Sequence, residues 1–559
     1  MDEKSAPLLP CDAVPPSPVR HHRKPRWPLF TLPLLALAWL YHTRTHGSCP
    51  SPSGPTTFTY PGESIPWTPC GSITAHPLEC GTITVPLDHF NASNSPSNLN
   101  FTIPLIRLRA HNATTNKNIL LNPGGPGGSG TEFLFRRGAQ LSTLVGENFH
   151  LVGFDPRGIN DSVPRAACYP SPSALQQLAP RPIYGLKDSG ELWARAQNYG
   201  KACADTMAGY GPYINTPQTA ADMNSILDAL GQEGLYYWGF SYGTLLGQTY
   251  ATLFPERSER VIIDGVANEF DWYEGLFDDE SEASSDAVFN GFVEACIAAG
   301  DQCALAGSAG TKEELRDKIV GVIEGLKEEP VPVYVNNTVY GVLGHHEVMV
   351  ALFGAMYKPY AAWAELAKNL AGLLDGNATG AFLACGWNPD RSEDVIFQAA
   401  EDFVMLNDGA SGKKHWPQER EKLVELIKPR FNYSMFSEDI GDWFTKAAWP
   451  VPRGHGYVPK KGVHTAHPLL ILSTTFDPIC PLVSAVNANE AFVGSRIVEV
   501  KGAFLENGEL PEKNVQCDGD GKPYFGSDED AQASVMADDD QKLLDALVEL
   551  AREGFGRRR

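Results

Sequence analysis

Residues 235–247 read Leu-Tyr-Tyr-Trp-Gly-Phe-Ser-Tyr-Gly-Thr-Leu-Leu-Gly. The uncharged run Leu235–Trp238 predicts a buried strand, and Tyr242–Leu253 predicts a helix directly after it. Between them, Gly239-Phe240-Ser241-Tyr242-Gly243 fits G-x-S-x-G. A serine on so sharp a turn from strand to helix is strained, and bulk on either side would clash with neighbouring backbone, so glycines flank it. Such a turn lifts the Ser241 hydroxyl into the open at a helix N-terminus. A bare G-x-S-x-G is common by chance, and the bland reading is a structural tight turn. The strand before it and the helix after it make Ser241 the candidate nucleophile.

Moving outward, short apolar runs alternate with helical patterns, the mark of an α/β sheet that is mostly parallel. Thr82–Val85 and Phe101–Leu108 read as a leading hairpin, and Asn118–Leu121 and Leu151–Phe154 as buried strands. Thr216 caps a helix that has Pro217 at its first position and runs to about Leu230. Arg260–Ile263, Leu469–Ser473 and Arg496–Val500 complete the strand set. From 269 to 460 long helical patterns interrupt that rhythm. Because core-type strands return afterwards, this stretch reads as an inserted helical cap between two parts of one core, 69–268 and 461–559. A separate C-terminal domain is the competing reading.

Asn122-Pro123-Gly124-Gly125-Pro126-Gly127-Gly128-Ser129-Gly130 follows an early strand. Its glycines allow backbone N–H groups to approach a substrate oxygen. The N–H of Gly125 or Gly124, with that of Tyr242, forms the candidate oxyanion hole. A phosphate loop would need a lysine that this motif lacks. Asp477, in Phe476-Asp477-Pro478 after the late strand, stands where chain order Ser…Asp…His puts the carboxylate that orients an imidazole. Asp264 is a second strand-end acid and reads as structural.

The chain has 559 residues and a formal charge of -22, a balance that repels nucleic-acid phosphates. Ten of its 11 cysteines follow the only long apolar run, which points to up to five disulfides in an oxidising compartment. No Cys/His ladder suggests a metal, and no cofactor is expected. Seven N-x-S/T sequons, at Asn91, Asn100, Asn112, Asn160, Asn336, Asn377 and Asn432, agree with passage through the secretory route.

Residues 1–26 are rich in proline and charge and end in a basic cluster. The apolar run Trp27–Tyr41 follows, about 15 residues against the ~20 that span a bilayer comfortably. It reads as a signal anchor holding the chain on a membrane as a single-pass type II protein, or as a cleaved signal peptide that ends near Ala36-Leu37-Ala38. Residues 46–68 read as a stalk.

Together these motifs give a resemblance to the tripeptidyl-aminopeptidase-like branch of the prolyl-aminopeptidase clan of α/β-hydrolases, in a fungal-type secreted form. Cys80-Gly81-Thr82-Ile83-Thr84-Val85-Pro86-Leu87-Asp88, the glycine loop, Gly153-Phe154-Asp155-Pro156-Arg157-Gly158, Gly239–Thr244, Ile263-Asp264-Gly265-Val266 and Thr475-Phe476-Asp477-Pro478 carry it in family order. The resemblance implies an α/β-hydrolase fold with the insertion as cap. It implies exopeptidase chemistry on peptide substrates through an acyl-enzyme on Ser241. It also exposes a departure. The family's histidine lies in a Gly-His pair after the last strand, whereas the last histidine here, His467, precedes Asp477. Val500-Lys501-Gly502-Ala503 runs straight into Phe504-Leu505-Glu506-Asn507-Gly508-Glu509-Leu510-Pro511, which already resembles the family tail, so the intervening segment is missing. His455, His464, His467 and the pair His345-His346 read as exposed or core histidines. A peptidase crippled as written, an esterase-type hydrolase and a non-catalytic peptide-binding protein are the three functions this sequence leaves open.

Overall fold

The structure is a computed structural model. It describes residues 59–497 apart from 74–75, 92–98, 111–115, 147, 179–185, 279, 386–391 and 441–442, together with 525 and 546. The basic tail, the apolar run 27–41 and most of the expected stalk lie outside the described residues. Among those described, no helix is long and apolar enough to cross a membrane.

Eleven strands are described: β1 (Thr68–Ile73), β2 (His76–Pro86), β3 (Asn100–Leu108), β4 (Asn118–Asn122), β5 (His150–Phe154), β6 (Leu235–Phe240), β7 (Ser258–Asp264), β8 (Val331–Asn336), β9 (Val339–Leu343), β10 (Leu470–Leu472) and β11 (Arg496–Ile497). Nine form one sheet in the order β1-β2-β3-β5-β4-β6-β7-β10-β11. The pairings β1–β2, β2–β3 and β3–β5 are antiparallel, and every later one is parallel. β4, β5 and β6 are buried along their whole length. That is why they read as continuous apolar runs: helices cover both faces of a parallel sheet.

The helix Thr216–Leu230 has the predicted bounds, but its cap is Asn215, whose side chain accepts from the Gln218 N–H. The last part of the expected stalk, 59–68, is part of the fold. Ile65 and Trp67 are buried, Ser64 donates its backbone N–H to the Ala229 carbonyl at 2.8 Å, and Glu63 pairs with the buried Arg107. Proline and serine there mark an irregular but packed segment.

β10 lies beside β7, with Leu472 opposite Asp264. Everything between them is therefore an excursion from one sheet. That excursion carries its own apolar cluster, which includes Phe289, Phe292, Leu352 and Trp363. It is not purely helical, because β8 and β9 form a two-stranded hairpin within it.

Disulfides join Cys70–Cys80, Cys168–Cys203 and Cys296–Cys303. Three bridges among the described residues fit an oxidising compartment.

Candidate active site

Ser241 sits between β6 and the helix Tyr242–Leu253 with φ 55° and ψ -123°. A non-glycine residue in that region stores about 1–3 kcal/mol of strain. It is held there by its backbone N–H donating to the Asp264 carbonyl at 3.0 Å and by its carbonyl accepting from the Thr244 N–H at 2.8 Å. A side chain at Gly239 would place its Cβ 2.3 Å from the Gly243 carbonyl oxygen. The turn closes only because that position is glycine.

The glycine loop packs directly on this turn. A Cβ at Gly124 would lie 2.3 Å from the Phe240 carbonyl oxygen and 2.9 Å from both Ser241 Cβ and the Tyr242 nitrogen. Gly124 donates its own N–H to Asn122 Oδ1 at 2.9 Å. Of the two N–H groups offered by the sequence, that of Gly125 is thus the one left for a substrate oxygen. The far end of the loop is pinned by Asp155, which accepts from Ser129 Oγ at 2.6 Å, Thr131 Oγ1 at 2.9 Å and Asn160 Nδ2 at 2.9 Å. From the inserted segment, the Phe397 ring closes over Gly125 and Gly127.

Asp477 follows β10 and accepts the backbone N–H groups of Ile479 at 3.0 Å and Cys480 at 2.8 Å, both on Oδ1. Burial raises its pKa despite those two bonds. Cys480, buried three residues past Asp477, lies near Ser241: a Cβ at Gly265 would be 3.9 Å from Cys480 Cβ and 4.0 Å from the Ser241 nitrogen. Burial pushes its thiol well above its usual range, with Asp477 adding to the shift, so it is protonated at neutral pH. The sequence reading missed this neighbour, although it lies so close to the expected acid. At Asp264, burial, reinforced by the charge of Asp477, pushes the carboxyl up to about 7 against a hydrogen bond from the Trp238 indole. Tyr357, from the inserted segment, lies close enough to Cys480 and Asp477 for both to raise its phenol further, after burial.

The histidines are elsewhere. Among the described residues none hydrogen-bonds Ser241 or Asp477. His455 lies against the Asn407 carbonyl at 3.2 Å, and burial depresses its pKa to about 3. His467 donates its backbone N–H to the carbonyl of Ser258, the first residue of β7. Ser241 is bonded to Asp264 at the other end of that strand, about 20 Å away at ~3.3 Å per residue. His345 faces Glu324 at the start of its helix.

Tyr242 is anchored from the opposite side. Its hydroxyl bonds Thr216 Oγ1, which donates to Asp408 Oδ2 at 2.6 Å, and the Trp272 indole donates to the same oxygen at 2.9 Å. Burial raises the Asp408 carboxyl to about 6. These bonds anchor Tyr242, the residue directly after Ser241.

A family profile described as "alpha/beta hydrolase fold" matches residues 117–302, and one described as "TAP-like protein" matches residues 442–517. The chain has the α/β-hydrolase fold and is similar to TAP-like proteins. Relatives span most of its length. The "Tripeptidyl aminopeptidase" of Streptomyces coelicolor is 27% identical over 439 residues, 76% of this chain and 77% of that protein. The "Serine protease Hip1" of Mycobacterium tuberculosis is 26% identical over 498 residues, 82% and 91%. Among solved structures, "Proline iminopeptidase Mycobacterium smegmatis" covers 76% of this chain and 93% of its own, at 12% identity and a TM-score of 0.29, too loose an overlap to bear on chemistry.

One fully buried carboxyl away from the nucleophile contributes to the pH response of stability. Burial pushes Glu269 up to about 8, only partly countered by a bond from the Tyr457 hydroxyl at 3.0 Å. The folded form holds its proton more tightly than the unfolded form. Its contribution is greatest below the ordinary glutamate pKa and falls as pH rises through about 8. Raising pH from 6.5 to 8.5 will lower unfolding stability by on the order of 1–2 kcal/mol. Glu269→Gln will reduce that slope in urea titrations at the two pH values, leaving the part carried by Asp264 and the other raised carboxyls.

Proposed function

We propose that this chain has the site of a serine-type hydrolase of peptides, of the kind that releases N-terminal residues through an acyl-enzyme on Ser241. In this reading Ser241 Oγ attacks the carbonyl, and the N–H groups of Gly125 and Tyr242 receive the developing oxyanion. Asp477 is the carboxylate for an imidazole that this sequence does not supply. The membrane association and secreted form read from the N-terminal run belong to the same proposal. The observation that carries it is the Ser241 torsion, held beside a glycine loop that a single Cβ would displace. The peptidase names of the Streptomyces and Mycobacterium relatives support peptides as substrates.

A second reading, a non-catalytic peptide-binding protein, is favoured by the described histidines lying elsewhere, His455 on the Asn407 carbonyl and His467 at the far end of β7. An ester-directed hydrolase has support from a 25% identical relative named "Carboxylesterase B", matched over 95% of its length. A fluorophosphonate probe followed by peptide mapping tests the proposal. The expected result is an adduct on Ser241 that grows slowly and is absent in Ser241→Ala. A protein that stays unlabelled carries the binding reading instead, and a panel of matched amides and esters separates peptidase from esterase.

A further inference from the structure

The hairpin β8–β9 presents two unlike faces. Inward, Val333 and Leu343 are buried and Gly341 lies against the Phe382 ring. Outward, Tyr334 and Tyr340 are paired across the strands with their rings stacked 6.2 Å apart, and Val342 stands beside them. These three side chains are 72%, 57% and 60% exposed. An apolar face on a two-stranded sheet with open edges invites edge-to-edge association unless something covers it.

The turn of the same hairpin carries Asn336-Asn337-Thr338, one of the seven sequons. Thr338 Oγ1 donates to Asn336 Oδ1 at 2.7 Å, and the N–H groups of Thr338 and Val339 donate to the same oxygen at 2.9 and 3.0 Å. The amide is thus fixed through its oxygen, while Nδ2 makes no bond among the described residues. Tyr334 precedes Asn336 by two positions, and a register slip lies between them. Other sequons are built differently. Asn160 Nδ2 is taken by Ser129 and Asp155, and Ser162 is buried. Asn91 Nδ2 donates to Asp88, and Ser434 of the Asn432 triplet is buried and bonded to Asp286. Asn377 is exposed but has Asp375, not an aromatic, two positions before it.

We propose that Asn336 carries an N-linked glycan whose first sugars lie over the Tyr334–Tyr340 pair and cover the outer face of the hairpin. The donor is an oligosaccharide on a lipid pyrophosphate. Its anomeric C1–O bond breaks, a C1–Nδ2 bond forms on Asn336, the lipid pyrophosphate leaves, and the amide proton passes to a carboxylate of the transferase. The C–H face of a sugar ring is attracted to the electron-rich face of an aromatic ring, so the two tyrosines supply the seat. The covered hairpin then has no exposed apolar face.

The test expresses the full chain in a eukaryotic secretory host and maps glycopeptides by mass. Asn336 will be occupied, and Thr338→Ala will reduce that occupancy to near zero. Enzymatic removal of glycans will lower the thermal midpoint of the wild type. In Tyr334→Ser, and independently in Tyr340→Ser, the same removal will lower it much less. Asn377 is the internal control, because its loss in Asn377→Gln will leave the difference unchanged. An unmodified Asn336 in the secreted protein overturns the proposal. So does a deglycosylation shift of equal size with and without the tyrosines.

Discussion

A peptide 4-nitroanilide will turn over on this chain about 10⁴–10⁶-fold more slowly than on a relative that has a complete Ser–His–Asp set. A serine hydroxyl is a weak nucleophile until a positioned base takes its proton. Among the described residues no histidine bonds that hydroxyl, and the neighbouring Cys480 thiol, kept protonated by burial, cannot act as that base. The nearest carboxyl on the acid side, Asp477, spends one oxygen on two backbone N–H groups. An amide needs its leaving nitrogen protonated as well, so a missing imidazole would be felt twice in each cycle. An activated ester, whose leaving group departs without a proton, will lose far less. Comparing both substrates against Ser241→Ala checks the argument. Amide turnover at the level of a complete triad would show that another base reaches the serine.

The second large effect is on folding. Asp222→Ala will destabilise the protein by about 3–5 kcal/mol, because it strands a buried guanidinium. Arg157 donates from Nε and Nη2 to the two oxygens of Asp222 at 2.7 and 2.6 Å, and both side chains are buried. Its remaining N–H groups serve the carbonyls of Leu87, Tyr213 and Pro86, and the guanidinium lies 4.8 Å from the Phe101 ring centre. One ion pair thus ties β2 to the loop after β5 and to the helix Thr216–Leu230. Urea unfolding of Asp222→Ala, with Arg157→Leu/Asp222→Leu alongside, separates the pair from the penalty of breaking it. The double variant will recover much of the loss.

How much of this was legible beforehand follows from where each signal resides. β4, β5 and β6 are apolar throughout because both their faces are covered, so runs such as Asn118–Leu121 and Leu235–Trp238 announced them. The helix after Ser241 has the expected bounds, Tyr242–Leu253, because a G-x-S-x-G turn dictates its first residue. Residues 59–68 misled, since proline and serine say nothing about whether an irregular segment is packed. Cys480 and Phe397 were invisible as site neighbours because only the tertiary fold brings them to the serine and the glycine loop. The choice between Gly124 and Gly125 turned on one side chain, Asn122, which takes the first N–H for itself. Two of the five disulfides allowed by the cysteine count are not among the three bridges described, and Cys480 is a thiol.

The torsion at Ser241 behaves as a wound spring. Glycine at that position would let the backbone relax at once. The chain nevertheless carries serine there. The tension stored in the elbow is therefore held by the packing around it, the Asp264 carbonyl on one side and the Thr244 amide on the other.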